Sequence, residues 1–440
     1  MKDFFYNIKS QIPVPILKVM QKPYHFFLAL AAAVWYRFPS RKLTVIGVTG
    51  TKGKTTVVEL LHAIFEAQGV QAASVSSLRF RIDGEESPNI SGMTMPGRFF
   101  IQQFLSRAVE RGCGYAVIEV TSQGIEQYRH RFIDFDIGVL TNIAPEHIEA
   151  HGGFEPYLRT KLDFFWRLSK KSIAVINRKD SQASRVMAAC GCDKAWYDHE
   201  KIEYKKYIWP IRNYNSGNYG IMFDVKGHQI KSELQGMVNA ENIFAAVGAA
   251  LCLRVPFEAI AQGVAGVKQV SGRMQIVQDK PFRVVVDYAH TPDSLERVYT
   301  SLGVKKSLGN ESRLVCVLGA AGGGRDTWKR PEFGKIAALQ CREIIITNED
   351  PFDEPPEQIM EAIAVGVRES RAAEKMKIIG DRREAIRHAL SVARDGDTVV
   401  ITGKGSETFI RGARGEKIAW NDYAAAQEEL ALLLRSKRSA

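Results

Sequence analysis

The segment from residue 43 to residue 69 constrains the fold of this chain more than any other. It reads LTVIGVTG, then TKGK, then TTVVELLHAIFEAQG, which is a short β-branched run, a glycine-rich loop and a stretch with apolar residues at helical spacing. A strand that leads into a glycine loop and a helix is the setting in which backbone N–H groups at a helix N-terminus bind phosphate. The segment therefore predicts an α/β domain with a phosphate-binding loop.

The glycines of this loop do not follow the usual spacing, G-x-x-x-x-G-K-[ST]. Counting back from Gly53, the first glycine would stand at position 48, where the chain has valine; the other glycines are Gly47 and Gly50. The Gly-Lys-Thr end of the pattern is intact. We therefore expect the backbone of the loop and the ammonium group of Lys54 to hold a triphosphate, and the hydroxyl of Thr55 to reach Mg²⁺.

The pattern downstream is also α/β. Short apolar runs at 115–120, 136–142 and 172–178 are typical of buried strands in a parallel sheet, whereas 203–235 alternates and carries turn signals, which indicates antiparallel strands. The first half of the chain is therefore expected to contain a mostly parallel sheet with an antiparallel part.

Near residue 270 the pattern restarts. SGRM leads into FRVVVDYAHTP, and RLVCVLGAAGGG, EIIITNEDP, MKIIGD and DTVVITGKG repeat one arrangement of strand, polar or glycine loop, and helix. Such a repeat is typical of a doubly wound domain, where ligands bind at the carboxyl ends of strands. A chain of 440 residues is long enough for two or three domains. We predict a helical hydrophobic extension over 1–40, a P-loop-type central domain over 41–270 and a Rossmann-like domain over 271–440.

The net charge and the cysteine pattern limit the kinds of ligand and the cellular compartment that we expect. The chain has 60 Lys and Arg against 49 Asp and Glu, a formal net charge of +11, which suits a polyanionic ligand. The basic residues are spread along the chain without an RNP-type aromatic motif, so we expect nucleotide phosphates and no nucleic acid. The six cysteines show no CxxC pairing, which predicts free thiols in a reducing cytosol and a cytoplasmic protein.

An uncharged run of 11 residues, FFLALAAAVWY, covers 26–36. Crossing a bilayer takes ~20 such residues, and no small-x-small cleavage site follows, so we do not expect a signal peptide. The prediction is a helix docked on the folded body. The alternative is a weak contact of 11–38 with a membrane surface or a partner, favoured by flanking cations. These cations are Lys18, Lys22, Arg37, Arg41 and Lys42.

Three further segments carry candidate catalytic side chains. Glu119 ends an apolar strand, where a carboxylate is costly unless it binds a metal ion or pairs with a nearby Lys or Arg. The segment TNIAPEHIEAHGG supplies His147 and His151 but lacks the HExxH order of a zinc site, and a hydrogen-bonded structural histidine is the alternative. Lys161 lies on a predicted helix, and by itself such a lysine is typical of a solvated surface.

Nine segments in this order resemble the Mur ligase family: TGTKGKTT, EVTSQGIEQYRHR, TNIAPEHIEAHGG, YLRTK, SGRM, DYAHTPDSL, GAAGGGRDTWKRP, GDRREAI and GKGSE. The resemblance covers roughly residues 41–434. The glycine spacing of the phosphate loop is the family's own version, so the valine at position 48 is expected. Within the family, DYAHTPDSL and GKGSE resemble most the UDP-N-acetylmuramyl-tripeptide synthetases.

The resemblance implies ATP-driven amide-bond formation in peptidoglycan precursor synthesis. A substrate carboxylate attacks the γ-phosphate to give an acyl phosphate, and an amine then displaces phosphate. Lys54 and a Thr55-bound Mg²⁺ would screen the phosphates, and Glu119 and His147 would hold a second Mg²⁺. Lys161 matches a lysine that the family carbamylates with CO₂, which turns a cation into an anion able to orient Mg²⁺.

The resemblance also assigns residues to the ligands. Those expected around ATP are Gly50, Thr51, Lys52, Gly53, Lys54, Thr55, Thr56, Asn239, Arg273, Tyr288, His290, Asp293, Lys329, Arg330 and Asp381. Those expected at the substrates are Thr94, Ser122, Gln127, Arg129, Asp350 and Glu407. Glu407 would hold the amine of the incoming amino acid. The expected partners are a UDP-muramyl-peptide and an amino acid, and we expect a monomer.

The chain departs from the family pattern in three places. About 42 residues precede the first strand, too few for the domain that grips the uridine nucleotide in tripeptide synthetases. Phe352 stands where diaminopimelate-adding members have an arginine that would pair with the distal carboxylate, so we expect that meso-diaminopimelate is not held in the usual way; lysine or another amino acid is open. Gln123 and Ser406 replace common histidines, and Lys52 replaces a common asparagine.

Two other interpretations stay open. A folylpolyglutamate synthase-like ligase also lacks the uridine-binding domain, but DYAHTPDSL differs from its Gly-Ala-His-Asn-Pro type of motif. A non-catalytic ATP-binding scaffold derived from a ligase is disfavoured because the chain retains Lys54, Glu119, His147 and Lys161 together. A motor or transporter ATPase would need a Walker B acid and a sensor arrangement that the sequence does not show.

Overall fold

Two β-sheets, one in each half of the chain, organise the molecule. The structure is a computed structural model and describes residues 14–145, 151–217, 220–303, 306–307, 310–311, 313–324 and 326–439. Helices pack against both sheets, and each sheet has apolar cores on its two faces. This layering is the one that α/β chains use to bury a parallel sheet.

The larger sheet is parallel at its centre and antiparallel at both edges. Its strands are β1 (Thr44–Thr49), β2 (Ala72–Val75), β3 (Arg79–Ile82), β4 (Glu85–Pro88), β5 (Tyr115–Val120), β6 (Ile137–Leu140), β7 (Ile173–Asn177), β8 (Asp193–Tyr197), β9 (Lys201–Tyr204), β10 (Tyr207–Gly217), β11 (Gly220–Val225) and β12 (His228–Ser232). Their spatial order is β12-β11-β10-β9-β8-β7-β6-β1-β5-β2-β3-β4. The neighbouring strands β8, β7, β6, β1, β5 and β2 run parallel. Strands β9 to β12 form the predicted antiparallel part.

Helices cover both faces of this sheet, which is why its central strands are apolar throughout. Val45 in β1 faces one core, and Ile46 and Val48 face the other. Parallel strands buried on both faces have such continuous apolar runs. The helices of this half are α1 (Val14–Trp35), α2 (Lys54–Ala67), α3 (Arg98–Glu110), α4 (Ser122–Glu126), α5 (Phe154–Trp166), α6 (Ala183–Ala189), α7 (Met237–Cys252) and α8 (Phe257–Gly266).

The smaller sheet is doubly wound and has one antiparallel edge strand. The strands of this half are β13 (Gln275–Gln278), β14 (Arg283–Asp287), β15 (Lys306–Ser307), β16 (Asn310–Glu311), β17 (Leu314–Leu318), β18 (Glu343–Ile346), β19 (Met376–Ile378), β20 (Thr398–Thr402), β21 (Phe409–Arg411) and β22 (Lys417–Ala419). The sheet order is β13-β14-β20-β17-β18-β19, and β15–β16 and β21–β22 are separate ribbons. The helices are α9 (Pro292–Leu302), α10 (Lys329–Gln340), α11 (Pro356–Glu369), α12 (Arg382–Val392) and α13 (Asp422–Ser439).

The two halves join between α8, which ends at Gly266, and β13, which begins at Gln275. The restart of the sequence pattern near residue 270 falls in this interval. The predicted fold class, a mostly parallel phosphate-loop sheet followed by a doubly wound one, is confirmed. The division into separate domains at 41–270 and 271–440 stays a prediction.

Helix α1 contains the apolar run 26–36 and docks on the first half of the chain. Ala29, Ala32 and Ala33 are buried, and the ring of Phe26 lies edge-on to that of Phe132 with 5.3 Å between centroids. The docked helix predicted from the sequence is present. Within the described part of the chain, no helix is long and apolar enough to cross a membrane.

Two cysteines differ from the expectation of free thiols. Cys316 in β17 and Cys341 at the end of α10 form a disulfide, with their Cα atoms 6.2 Å apart. The expectation is wrong for this pair because the fold, not local spacing, brings it together. Strand β18 returns parallel to β17 with Ile344 opposite Cys316, which carries Cys341 into disulfide reach. The free, buried cysteines are Cys113, Cys190, Cys192 and Cys252.

Helix α8 packs directly on α2, the helix of the phosphate loop. A Cβ built at Gly263 would lie 2.4 Å from the Cα and 2.6 Å from the N of Ile64. The two backbones therefore touch, and only glycine fits at position 263. Because α2 begins at Lys54, this contact fixes the helix that carries the lysine of the phosphate loop.

Gly263→Ala should lower the free energy of unfolding by about 1–3 kcal/mol, because the added methyl group overpacks the contact with α2. The matched control is Gly266→Ala in the same helix, where a Cβ meets nothing within 4 Å and stability should stay equal or rise slightly. Urea unfolding followed by circular dichroism checks both. Equal midpoints for the two variants would contradict the close approach.

Candidate active site

A cavity of about 790 Å³ lies between the carboxyl ends of the two sheets. The loops after β1, β5 and β6 line it from one side, and the loop after β14 and the segment around β21 line it from the other. Loops that follow parallel strands are where α/β proteins bind ligands. Both halves of the chain therefore contribute to one candidate site.

The three glycines of the phosphate loop have different structural roles. Gly50 has φ 149° and Gly53 has φ 84°, and a Cβ at Gly50 would lie 1.9 Å from the hydroxyl oxygen of Thr141. Gly47 lies inside β1, where a Cβ would lie 2.6 Å from the ring of Phe164. Gly50 and Gly53 thus shape the loop, whereas Gly47 makes room for an aromatic ring. This accounts physically for the glycine that is out of register.

Two lysine ammonium groups meet at the carbonyl of Gly50. Lys54 Nζ donates to Gly50 O at 3.0 Å and to Thr51 O at 2.8 Å, and Lys161 Nζ donates to Gly50 O at 2.8 Å. Lys161 is 2% exposed, and its ammonium group lies over the ring of Tyr157, 4.9 Å from the centroid. The structure thus places Lys161 beside the phosphate loop and not on a solvated surface.

Glu119 is the penultimate residue of β5; it lines the cavity and is buried. Burial raises the pKa of its carboxyl group, and the charge of Lys54 and a hydrogen bond with Thr55 act in the opposite direction. Glu119 Oε1 accepts from Ser77 N at 3.3 Å, and the hydroxyl of Ser77 lies 2.9 Å from that of Thr55. A buried carboxylate close to a threonine hydroxyl presents the hard oxygen donors that Mg²⁺ takes at phosphate sites, so these residues fit the metal.

His147, the other predicted ligand of the second Mg²⁺, lies outside the described residues. In the ranges that the structure describes, no group of three or more His, Cys, Asp or Glu side chains is arranged to hold a metal ion. His151 Nδ1 lies 2.9 Å from the carboxylate of Glu126, and its Nε2 lies 3.2 Å from the hydroxyl of Ser122. His151 is therefore a hydrogen-bonded structural histidine beside the site.

The predicted ATP residues outside the phosphate loop that line the cavity are Asn239, Arg273, Tyr288, His290 and Asp293. One contact joins them to the loop: Lys52 Nζ lies 3.3 Å from His290 Nε2. His290 Nδ1 lies 2.7 Å from the carbonyl oxygen of Tyr288. Because a carbonyl oxygen only accepts, Nδ1 carries the proton there and Nε2 accepts from Lys52. The phosphate loop and the second half of the chain are thus hydrogen-bonded across the cavity.

The four residues predicted at the muramyl-peptide lie close together. Thr94 and Ser122 line the cavity, and with Arg129 they line an adjoining recess of about 150 Å³. Arg129 Nη2 donates to Gln127 Oε1 at 2.7 Å, and its Nη1 donates to the carbonyl of Met95. These bonds hold the guanidinium of Arg129 at the edge of the recess, where a cation would face an anionic substrate.

Six predicted site residues, all described by the structure, do not line the cavity: Gln127 and Arg129 in the first half of the chain, and four in the second half. The four in the second half are Lys329, Arg330, Asp350 and Asp381. Arg330 forms an ion pair with Glu354 at 2.6 Å, and Asp381 caps α12 by accepting from Glu384 N at 2.8 Å. Their side chains are engaged within the second half of the chain, and their roles at ATP or substrate stay predictions.

Glu407 lies in the cavity wall that the second half of the chain contributes. The hydroxyl of Tyr288 donates to Glu407 Oε1 at 3.0 Å. Lys404, which is fully buried, pairs with Glu407 and also with Asp350 at 2.6 Å. Because both carboxylates share Lys404, Asp350 supports the position of Glu407 from behind the cavity wall. Burial also raises the pKa of the neighbouring Glu349 to about 7.

Arg411 also lines the cavity, and the sequence patterns do not predict it. Its guanidinium lies over the ring of Phe409, 4.9 Å from the centroid, and its Nε is 3.9 Å from Asp350. Phe352 N donates to Arg411 O at 3.1 Å, so Arg411 is the backbone neighbour of the position where diaminopimelate-adding relatives are expected to have arginine. In the sequence, Arg411 is only an arginine that follows GKGSE. The contact with the distant Phe352 shows that it lies at the candidate site.

Two family models match the chain: the Mur ligase middle domain over residues 48–250, and the Mur ligase, glutamate ligase domain over residues 272–405. A UDP-N-acetylmuramoyl-L-alanyl-D-glutamate--2,6-diaminopimelate ligase of Trichormus variabilis is 35% identical, over 91% of this chain and 80% of that protein. The chain belongs to the Mur ligase family. A UDP-N-acetylmuramyl-tripeptide synthetase of Treponema denticola is also 35% identical, over 87% of this chain and 75% of that protein.

Solved structures agree with this assignment. A UDP-N-acetylmuramoyl-L-alanyl-D-glutamate--2,6-diaminopimelate ligase has a TM-score of 0.59 at 30% identity and covers 89% of this chain and 79% of its own. The folylpolyglutamate synthase of Mycobacterium tuberculosis has a TM-score of 0.68 at 19% identity, over 86% of this chain and 92% of its own, which is a likeness of fold. The predicted family and enzyme class are confirmed: the chain is an ATP-dependent carbon–nitrogen ligase.

Proposed function

We propose that this Mur ligase adds an amino acid to a UDP-muramyl-peptide in peptidoglycan precursor synthesis. The observation that carries the proposal is the meeting of Lys54, Lys161 and Glu119 at the phosphate loop, inside a cavity lined from the other half of the chain by Tyr288 and His290. The names of two relatives at 35% identity specify ligation to a muramyl-peptide, which supports the choice of substrate.

The proposed reaction has two steps. A carboxylate oxygen of the muramyl-peptide attacks the γ-phosphorus of ATP, an O–P bond forms, and the bond to the β-phosphate oxygen breaks to release ADP. The amine of the amino acid then attacks the acyl carbon of the acyl phosphate, the C–N bond forms, phosphate leaves and the amine gives up a proton. Because the carboxylate and the triphosphate are both anions, the first step needs cations between them.

The phosphate loop and Lys54 supply the positive charge that the protein itself contributes to this step. The two carbonyl bonds of Lys54 hold its ammonium group against the loop, and the N-terminus of α2 points its N–H groups at the same place. Mg²⁺, when bound, neutralises phosphate oxygens and helps to polarise the reacting group. We assign Thr55 to one Mg²⁺ site, and Glu119 with His147 to the other.

We also propose that Lys161 is carbamylated. Its neutral amine would attack CO₂, forming a C–N bond and releasing a proton, so that a buried cation becomes an anion. Lys161 is 2% exposed and sits at Gly50 O, and burial disfavours the charged form of a lysine. The carbamate would add an anionic oxygen ligand near Glu119 and so bind the second Mg²⁺ together with it.

Lys161→Ala should lower kcat about 10²-fold or more, which is the scale for losing one group that stabilises charge in the transition state. A short carboxylate such as acetate should restore part of the rate by replacing the carbamate. The matched control is Lys171→Ala, which removes an exposed lysine and should leave kcat unchanged. Phosphate release measures all three proteins. A Lys161→Ala enzyme at full rate would exclude the carbamate.

For the incoming amino acid, we propose that Glu407 holds the amine and Arg411 holds a carboxylate. Both line the cavity, and the side chain of Arg411 is one-third exposed. An arginine fork binds a carboxylate through two parallel hydrogen bonds, and the ring of Phe409 keeps that fork oriented. With Phe352 in place of the usual arginine, diaminopimelate would be held through Arg411 or not used.

Arg411→Gln should raise KM for the amino acid by about 10-fold or more, because a hydrogen bond to a charged group contributes about 1.5–3 kcal/mol, while KM for ATP stays unchanged. Arg414→Gln, at an exposed arginine nearby, is the control and should keep both constants. Steady-state kinetics with each substrate varied in turn provide the readout. A change in KM for ATP alone would place Arg411 at the nucleotide instead.

The function itself is tested by supplying ATP, UDP-muramyl-dipeptide and a panel of amino acids to the full chain and following phosphate release. We expect release that requires the muramyl-dipeptide and one class of amino acid. Turnover with a folate and glutamate but with no amino acid of the panel would favour the folylpolyglutamate synthase-like alternative. ATP binding without turnover on either substrate would favour a scaffold.

A further inference from the structure

The outward face of α1 is apolar. Tyr24, Phe27, Val34 and Trp35 are 59%, 65%, 56% and 76% exposed, and Ala31 between them is exposed as well. At about 100° of rotation per residue these positions fall within an arc of roughly 100° on one side of the helix. We name these five residues the outer stripe. Large side chains this exposed and this regularly spaced form a continuous apolar surface.

The opposite face of α1 is fixed to the protein, so the outer stripe cannot turn inward. Ala29, Ala32 and Ala33 are buried. Arg98 Nη2 lies 2.5 Å from His25 Nδ1, and the same guanidinium donates to Gln127 O at 2.8 Å. The helix is thereby tied to the edge of the recess that the muramyl-peptide residues line. These contacts account for the docked helix that the sequence predicts, and they leave the outer stripe exposed.

The sequence segment that carries the outer stripe has charges of one sign. No Asp or Glu occurs between Asp3 and Glu59 in the sequence. The Lys and Arg residues of 4–42 are Lys9, Lys18, Lys22, Arg37, Arg41 and Lys42. Lys22, Arg37, Arg41 and Lys42 are exposed. Arg41 pairs with Asp134 at 3.3 Å, and Lys22 lies on the docked side of the helix, within electrostatic range of Asp163. Arg37 and Lys42 follow the stripe at the C-terminal end of α1. An apolar face with aromatic residues and flanking cations is the composition that binds anionic lipid headgroups and the acyl boundary below them.

We propose that the outer stripe docks on an anionic phospholipid surface. Trp35 and Tyr24 are amphipathic rings of the kind that lie at the headgroup level, Phe27 and Val34 enter the acyl boundary, and Arg37 and Lys42 contact lipid phosphates. A protein partner is the weaker match because its surface would have to be apolar and acidic together. The docked helix holds the muramyl-peptide end of the cavity next to the membrane surface.

Vesicle co-sedimentation of the full-length protein tests the proposal. Wild type should bind vesicles with 30% phosphatidylglycerol at least about 10-fold more strongly than pure phosphatidylcholine vesicles, and binding should weaken in 0.5 M salt because lipid charges are screened. The double variant Phe27→Ser with Trp35→Ser should lose at least about 10-fold of the affinity. The control is Leu339→Ser with Leu432→Ser, which removes two exposed leucines elsewhere and should bind as wild type does.

A second variant keeps the test independent of apolar substitutions. Arg37→Gln with Lys42→Gln alters no buried group, and it should lose binding to the anionic vesicles while keeping its thermal unfolding midpoint. Wild type that binds no vesicle, or a serine double variant that binds like wild type, overturns the proposal. If the wild type is a dimer and the serine double variant is a monomer, the stripe binds a second copy of the chain. That result also overturns the lipid proposal.

Discussion

The carbonyl oxygen of Gly50 accepts hydrogen bonds from the ammonium groups of both Lys54 and Lys161, at 3.0 and 2.8 Å. With both lysines unmodified, the two cations create a positive potential at the end of β1, in which phosphate oxygens are favoured. The proposed carbamate of Lys161 would leave Lys54 as the cation there. The carbonyl can serve both lysines because the loop is held in place: a Cβ at Gly50 would lie 1.9 Å from Thr141, so the loop fits against the end of β6 with no room to shift. The chemistry of the site depends on this fit.

Gly47, the glycine that departs from the usual spacing, affects the same loop through its contacts inside the sheet. A Cβ at Gly47 would lie 2.6 Å from the ring of Phe164 and 2.9 Å from that of Phe135. Phe164 and Lys161 lie on the same face of α5, one turn apart, so the distance at which Phe164 packs on β1 also sets the reach of Lys161 toward Gly50. A side chain at position 47 would push α5 outward and withdraw the lysine. The glycine at position 47 is therefore what allows Lys161 to reach Gly50.

The sequence predicts those parts of this molecule that are encoded locally. The strand, loop and helix around Lys54, the strand that carries Glu119 and the restart near residue 270 all follow from apolar periodicity and glycine placement. The rest depends on contacts between distant segments. The disulfide between Cys316 and Cys341 arises from the return of β18 beside β17. The position of Arg411 beside Phe352 arises from contacts between distant segments, among them the hydrogen bonds from Phe352 N to Arg411 O and from Arg411 N to Asp350. No local pattern contains either.

Lys52 replaces an asparagine that is common in the family, and the fold gives its side chain a specific contact. Its ammonium group crosses the cavity to Nε2 of His290, whose Nδ1 is committed to the carbonyl of Tyr288. The hydroxyl of Tyr288 in turn donates to Glu407, so Tyr288 links the two sets of hydrogen bonds, one through its backbone carbonyl and the other through its side chain. An asparagine side chain is too short to make the same crossing from position 52. The extra charge therefore joins the phosphate loop to the wall of the cavity that contains Tyr288 and Glu407. If ATP and the amino acid bind as proposed, the two half-reactions would take place in one connected site.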